Sequence, residues 1–215
     1  LWSGRFDAPP DSAAFEFGAS FRFDRRLFED DVTGSLAWAR ALADTLLEHF
    51  EDTAHGGFFF VSHDHEQLLH RAKIGPRNDT PSGNSIAAVA LDRLGHVLGE
   101  PRYCEAARRT VQAFSALFEQ QPSAHGAMGI ALDEQLTPPT LVVLTGGEAA
   151  GHWQHTLNAR FRPRVLTLLI APDTSGLPPA LAKPAGGGVK AWVCQGVSCL
   201  PPITELAALQ TTVAQ

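Results

Sequence analysis

Apolar residues change their spacing at Pro138-Pro139. Before that pair they recur every three to five residues, the spacing that lines one face of an α-helix; after it they come in short continuous runs, the mark of buried strands. A chain that switches period this way packs helix on helix in its first part and builds a sheet in its last. The expected fold class is therefore α+β, mainly α.

In the helical part, Leu27, Val32, Leu36, Ala39, Leu42, Leu46 and Leu47 predict a helix from Leu27 to Phe50. Asp24 is its expected N-cap, and Glu29, Asp30 and Asp31 suit the positive end of the helix dipole. No Gly or Pro falls between Ser35 and Phe50, so the helix should run unbroken, its first half projecting beyond the helices that follow. Residues 1–24 carry Pro9-Pro10 and scattered Phe, and are expected to be irregular. After Gly56-Gly57, Phe58–Val61 and Leu68–Arg71 predict a β-hairpin. Three further helices are expected: Ser85–Leu98, stopped by Gly99; one opened by Pro101 and reaching Gln120; and one opened by Pro122 and reaching Leu136. Their short connections imply antiparallel hairpins.

Beyond Pro139, strands are expected at Thr140–Thr145, Val165–Ala171 and Val189–Cys194, with a helix at Glu148–Ala159 between the first two, a βαβ-like unit. Gly186-Gly187-Gly188 is a flexible turn without the pattern of a phosphate loop. A last helix, Glu205–Val213, is expected to be capped by Thr204.

Charge narrows the partners. The 215 residues carry a formal net charge of -6, and no more than two Lys or Arg are adjacent, so no nucleic-acid footprint is present. The longest apolar runs, such as Val165–Ala171, fall far short of the ~20 residues that cross a bilayer, and no membrane partner is expected. Residue 1 is Leu, and the opening residues lack the pattern of a secretory signal, so a cytoplasmic location is the expectation. Cys104 stands alone in a helical pattern as a small core residue. Cys194 and Cys199 lie across a short turn, spaced for a metal or a reversible disulfide. A structural metal site needs about four ligands, and no second Cys or His pair completes one, so neither metal nor cofactor is expected.

Polar chemistry concentrates around one loop, in His65, Glu66, Arg71, Lys73, Asp79, Ser82 and Asn84. Charge and hydroxyl groups before a helix start can hydrogen-bond a small polyol, sugar or anion. Two alternatives stand beside that. In the first, Asp79 only pairs with Arg71 or Lys73 while Ser82 and Asn84 cap the next helix; in the second, Glu66 and Asp79 form the carboxylate pair of a glycosidase, which depends on their separation.

Two resemblances follow from the residues. Leu1-Trp2-Ser3-Gly4-Arg5-Phe6, Ala19-Ser20, Phe23-Asp24-Arg25-Arg26-Leu27 and Asp31-Val32-Thr33-Gly34-Ser35-Leu36-Ala37 resemble the amino terminus of argininosuccinate lyase, over about 42 residues. That resemblance implies an all-α homotetramer that splits argininosuccinate into arginine and fumarate without a cofactor, with Ser20 and Asp24 at the substrate; the alternative is that both only cap a helix. Trp38 stands where the family has His. The family's mobile Gly-Ser-Ser-x-Met-Pro loop has no counterpart in these residues, whose single Met, Met128, lies in His125-Gly126-Ala127-Met128-Gly129.

From about Ala43 the chain resembles the carboxy-terminal part of the spermatogenesis-associated protein 20-like, thioredoxin-domain-containing family. The matching pieces are Gly56-Gly57-Phe58-Phe59, His65-Glu66, Arg71, Asp79-Thr80-Pro81-Ser82-Gly83-Asn84-Ser85, Gly99-Glu100-Pro101-Arg102-Tyr103, and Trp192-Val193-Cys194 with Cys199 and Pro201-Pro202. The resemblance implies a partial six-hairpin (α/α) toroid, a glycosidase-like architecture, followed by a small β-containing section. The expected organisation is a lyase-like segment at 1–42, a toroid-like helical region at 43–137 and an α/β section at 138–215. Such a piece is expected to be incomplete as a catalyst, carbohydrate-related only by likeness of fold, and prone to self-association through exposed helix faces. A non-catalytic interaction fragment is the third expectation.

Overall fold

The computed structural model describes residues 14–17, 21–24, 32–64, 71–73, 80–184, 186–196 and 198–214. Among them are six α-helices, a two-stranded hairpin and a four-stranded sheet, so the chain is mixed α and β with helix predominating.

The leader is not wholly irregular. β1 (Ala14–Phe17) pairs antiparallel with β2 (Phe21–Asp24), where Phe21 and Phe23 alternate with Arg22 and Asp24 in the two-residue period of a strand. Asp24 is the last residue of β2, and the expected start of the helix after it lies outside the described residues.

That helix, α1 (Val32–Phe50), runs unbroken through residues 40–45, where the two resemblances meet. Positions 27–31, its expected start, lie outside the described residues. Leu36, Ala43, Leu46, Leu47 and Phe50 place its apolar stripe against Leu91, Leu98, Tyr103, Ala106 and Ala107. The described part of its first half does not project. Leu36 also packs in a second core with Val97, Leu141 and Trp192, and Arg40 donates to Glu100 at 2.6 Å. A polar stripe completes the docking: Tyr103 Oη and Arg102 both donate to Asp44, and Arg109 pairs with Glu51. Tyr103 is wholly buried.

Phe58–Val61 forms no strand among the described residues, and its beginning contacts the end of α1. Glu51 and Phe58 form an isolated bridge, and the amides of Phe59 and His63 donate to the carbonyls of Phe50 and His49. Among the described residues, the Phe60 amide donates to the Ala72 carbonyl, just past the expected second strand. Residues 65–70, the rest of the expected turn and second strand, lie outside the described residues.

α2 (Gly83–Leu98) starts where Ser82, with extended backbone, accepts from the Ser85 amide at 3.1 Å. It stops at Gly99, whose φ of 68° is the left-handed conformation that glycine adopts without a Cβ penalty. α3 (Pro101–Gln120) opens on a proline whose missing N–H would have had no partner in the first turn. The next helix divides. Pro122–His125 winds as a 3-10 turn, with the Ala124 amide reaching the Gln121 carbonyl, and α4 (Gly126–Leu136) follows. The three helices share a core of Ala88, Val111, Phe114, Met128 and Ala131. Arg93 of α2 engages both oxygens of Glu134 of α4, a carboxylate left 1% exposed.

The sheet has the order β4-β3-β5-β6. β3 (Thr140–Thr145) and β4 (Val165–Leu169) are parallel, joined by α5 (Glu148–Asn158), the expected βαβ unit. β5 (Lys190–Gln195) runs antiparallel to β3, and β6 (Ser198–Cys199) turns back on β5. β6 has only two residues, too few to show a period in sequence. Val142, Leu144, Ala191 and Val193 pack against Ala150 and Leu157 of α5 and Leu209 of α6 (Leu206–Thr212). Their alternating neighbours Leu141, Val143, Trp192 and Cys194 pack with Val97, Ile170 and Leu181 on the other face. Burial on both faces is why β3 reads as a continuous apolar run. Glu205, not Thr204, takes the N-cap position of α6, and makes no side-chain cap.

Candidate functional site

The polar loop is tied together from within. Asn84 Oδ1 accepts from the Phe58 amide at 2.6 Å and its Nδ2 donates to the Phe58 carbonyl at 3.0 Å. This clamp needs the glycine beside it: Gly57 has φ +77°, and a Cβ there would lie 3.1 Å from Asn84 Oδ1 and from the Phe114 ring. Gly56 is held closer still, where a Cβ would fall 2.3 Å from the Arg109 carbonyl oxygen. Lys73 donates to the Gly56 carbonyl at 2.7 Å and reaches Asp52 at 2.6 Å. Burial works to raise the Asp52 carboxyl, but the Lys73 hydrogen bond and the amides of His55 and Ala54 outweigh it and hold the group at about 2. Arg71 donates to the Val61 carbonyl at 2.7 Å and lies over the Phe59 ring at 4.0 Å.

Of the residues the sequence singles out, Arg71, Lys73, Ser82 and Asn84 are each hydrogen-bonded within the chain, to Val61, Gly56, Ser85 and Phe58 respectively. Ser82 caps α2 as its structural alternative holds; Asn84 clamps Phe58 instead of capping. His65, Glu66, Asp79 and Ser20 lie outside the described residues, and Asp24 is placed only by its backbone, at the end of β2.

A larger opening lies elsewhere. A cavity of about 1070 Å³ separates the α2–α3 connection from the sheet face. Its walls combine apolar surface from Leu98, Pro101, Leu141 and Leu177 with Arg40, Asp92, His96, Glu105, Arg108, Gln135 and Lys183. Much of the charge is already paired: Arg40 with Glu100, and Arg108 with Glu105. Two donors are not. Arg40 Nε and Gln135 Nε2 are buried without a hydrogen-bond partner. Lys183, its pKa lowered by burial, donates to Cys199 Sγ at 3.4 Å. Cys199 is bonded to Cys194 across the β5–β6 pair, so of the two chemistries open to these cysteines the structure contains the disulfide.

On the same wall, Asp92 and His96 stand one turn apart on α2 and face Cys104 of α3. The three ligand atoms lie within 4.8 Å of one another. Asp92 is 3% exposed, and its Oδ2 has no hydrogen-bond partner, only the His96 Nε2 at 3.6 Å. Burial raises the Asp92 pKa above the carboxylate range, against the pull of His96. Burial, with the nearby Asp92 charge, pushes the Cys104 thiol up to about 11. Cys104 is half-buried and not simply a core residue. The four-residue spacing of Asp92 and His96, with a cysteine just past the Pro101 turn, was the available sequence signal for this cluster. Nothing in the spacing marks Arg40, Gln135 or Lys183, which arrive from three distant segments.

No protein-family profile matches the chain. Several curated proteins match it in part. The argininosuccinate lyase of Chloroflexus aggregans is 58% identical over 43 residues, 20% of this chain and 9% of the relative. That of Geotalea daltonii is 33% identical over 100 residues, 46% of this chain and 21% of the relative. That of a Roseiflexus species is 49% identical over 43 residues, 20% and 10% of the two chains. These matches support the lyase-like resemblance of the leader, and the second is longer than the leader itself. The chain spans about a tenth to a fifth of the length of the curated relatives it matches.

Proposed function

We propose that residues 43–215 are the carboxy-terminal part of a thioredoxin-domain-containing, spermatogenesis-associated protein 20-like protein, whose toroid-like helical hairpins and α/β section enclose a binding site for a small polyol or sugar. The observation that carries the ligand is one cavity whose lining residues include Arg40 and Gln135, each with a buried donor, Nε and Nε2, that has no partner. A buried donor without an acceptor costs about 1–3 kcal/mol, and a ligand hydroxyl supplies the acceptor once the side chain turns toward the cavity. Because Arg40 and Arg108 already hold carboxylates, the cavity suits a neutral hydroxyl-rich ligand better than a bare anion. Leu98, Pro101 and Leu177 offer apolar surface for the C–H face of a sugar ring. Glycoside hydrolysis needs two carboxylates flanking the bond. Glu100 and Glu105 are both engaged by arginines, which leaves Asp92 alone and favours binding over turnover. A calorimetric screen of polyols, sugars and sugar acids tests this. Gln135→Ala should weaken the tightest binder about tenfold while Arg71→Ala leaves it unchanged, since one hydrogen bond lost from a buried site is worth about 1.4 kcal/mol. Absence of any binder, or the reverse pattern of variants, would count against it.

The partial matches favour a second reading for the leader alone, argininosuccinate cleavage with Ser20 and Asp24 at the substrate. These 215 residues hold no counterpart of that family's catalytic loop, so the expected result is no fumarate from argininosuccinate. Fumarate release that disappears in Ser20→Ala would reverse that expectation. For partners, we propose self-association through exposed apolar residues of the helices, among them Leu42, Ile86, Leu117 and Ile130.

A further inference from the structure

The geometry points to a binding site for a divalent transition metal of zinc's character, formed by Asp92 Oδ2, His96 Nε2 and Cys104 Sγ. Three observations converge on it, and none depends on the sugar-binding proposal. The donor set is one oxygen, one imidazole nitrogen and one sulfur, the mixture that zinc accepts and that calcium or magnesium does not. Spacing fits as well. With metal–ligand bonds of about 2.0–2.3 Å, tetrahedral ligand atoms sit roughly 3.3–3.8 Å apart. Asp92 Oδ2 and His96 Nε2 are already 3.6 Å apart, and Cys104 Sγ lies within 4.8 Å of a ligand atom of each residue, so a shift of about 1 Å by the thiol closes the set.

The third observation is the state of Asp92. Its carboxylate is 3% exposed and its Oδ2 accepts no hydrogen bond, although buried acceptors normally have a partner. A cation between Asp92, His96 and Cys104 supplies that partner, and the thiol proton leaves to solvent as the sulfur binds. The packing around the sulfur is specific too. A Cβ on Gly95 would fall 2.4 Å from Cys104 Sγ, so glycine at this position leaves the thiol its place beside the helix. All three residues line the large cavity, the side from which a water or a bound molecule would complete the coordination.

Cobalt(II) reports on such a site, because a thiolate ligand gives a charge-transfer band and four-coordination gives strong visible bands. The full chain, stripped with chelator and kept without reductant so that the Cys194–Cys199 disulfide stays closed, would be titrated with cobalt(II) and then competed with zinc. The expected result is one cobalt per chain with a thiolate band, displaced by zinc. The band should vanish in Cys104→Ser and persist when Cys194 and Cys199 are both replaced by Ser. Asp92→Asn and His96→Gln should each weaken zinc by at least about tenfold, the loss that even an outer-shell change produces. Circular dichroism identifies variants that fold, and either His96→Gln or Asp92→Asn suffices where Cys104→Ser does not. No cobalt band in the folded wild-type chain, or a band that survives the loss of Cys104, overturns the site.

Discussion

At the level of single residues, the polar loop shows how the same side chains serve chemistry or architecture depending on where the backbone runs. Ser-Gly-Asn before an apolar run is a legible helix start, and Ser82 fills that role. Asn84 was not legible, because its partner Phe58 is 26 residues away and both of its bonds depend on the Gly56-Gly57 turn. Asn84→Ala strands the buried amide and carbonyl of Phe58, so denaturant unfolding should register a loss of about 2–3 kcal/mol; a loss below about 0.5 would mean the clamp is ornamental. Asp52 gives a pH signature. Its carboxyl is depressed from 3.8 to about 2 in the folded chain, so its contribution is present above pH 4 and fades as pH falls toward 2. Asp52→Asn should cost about 1–2 kcal/mol at pH 7, after allowance for solvent screening, and almost nothing near pH 2. An equal cost at both pH values would assign the effect to packing.

At the level of elements, the helices and the βαβ unit were readable because each is set by a local period and by Gly or Pro at its ends. Gly99 and Pro101 punctuate α2 and α3 where sequence says they should. What period cannot show is which elements touch. α1 carries one continuous stripe, yet only the fold reveals that Leu36 serves two cores at once, the helical one and the one beneath the sheet. Leu36→Ala should therefore destabilise the chain by about 1–2 kcal/mol, less than a fully buried leucine because this one is half-buried. Thermal melts check this, and a helix half that projected into solvent would show almost no change. The strand expected at Phe58–Val61 fails for a related reason: the Phe59 amide donates to Phe50 at the end of α1 and the Phe58 amide to the Asn84 side chain, partners outside the expected hairpin.

At the level of the whole molecule, residues 40–45, where the sequence reading expects a join, fall inside one helix, and that helix contributes Arg40 to the cavity wall. The cavity itself was invisible in sequence, since Arg40, Gln135 and Lys183 come together only when α1, α4 and the segment before β5 close around the α2–α3 turn. Hydrogen exchange with and without the tightest-binding polyol or sugar separates this cavity from the polar loop as the place of binding. Slower exchange on adding ligand is predicted for residues 95–104 and 176–183, which border the cavity, with no change at 80–84. Protection confined to 80–84, with the cavity segments unaltered, would contradict the account.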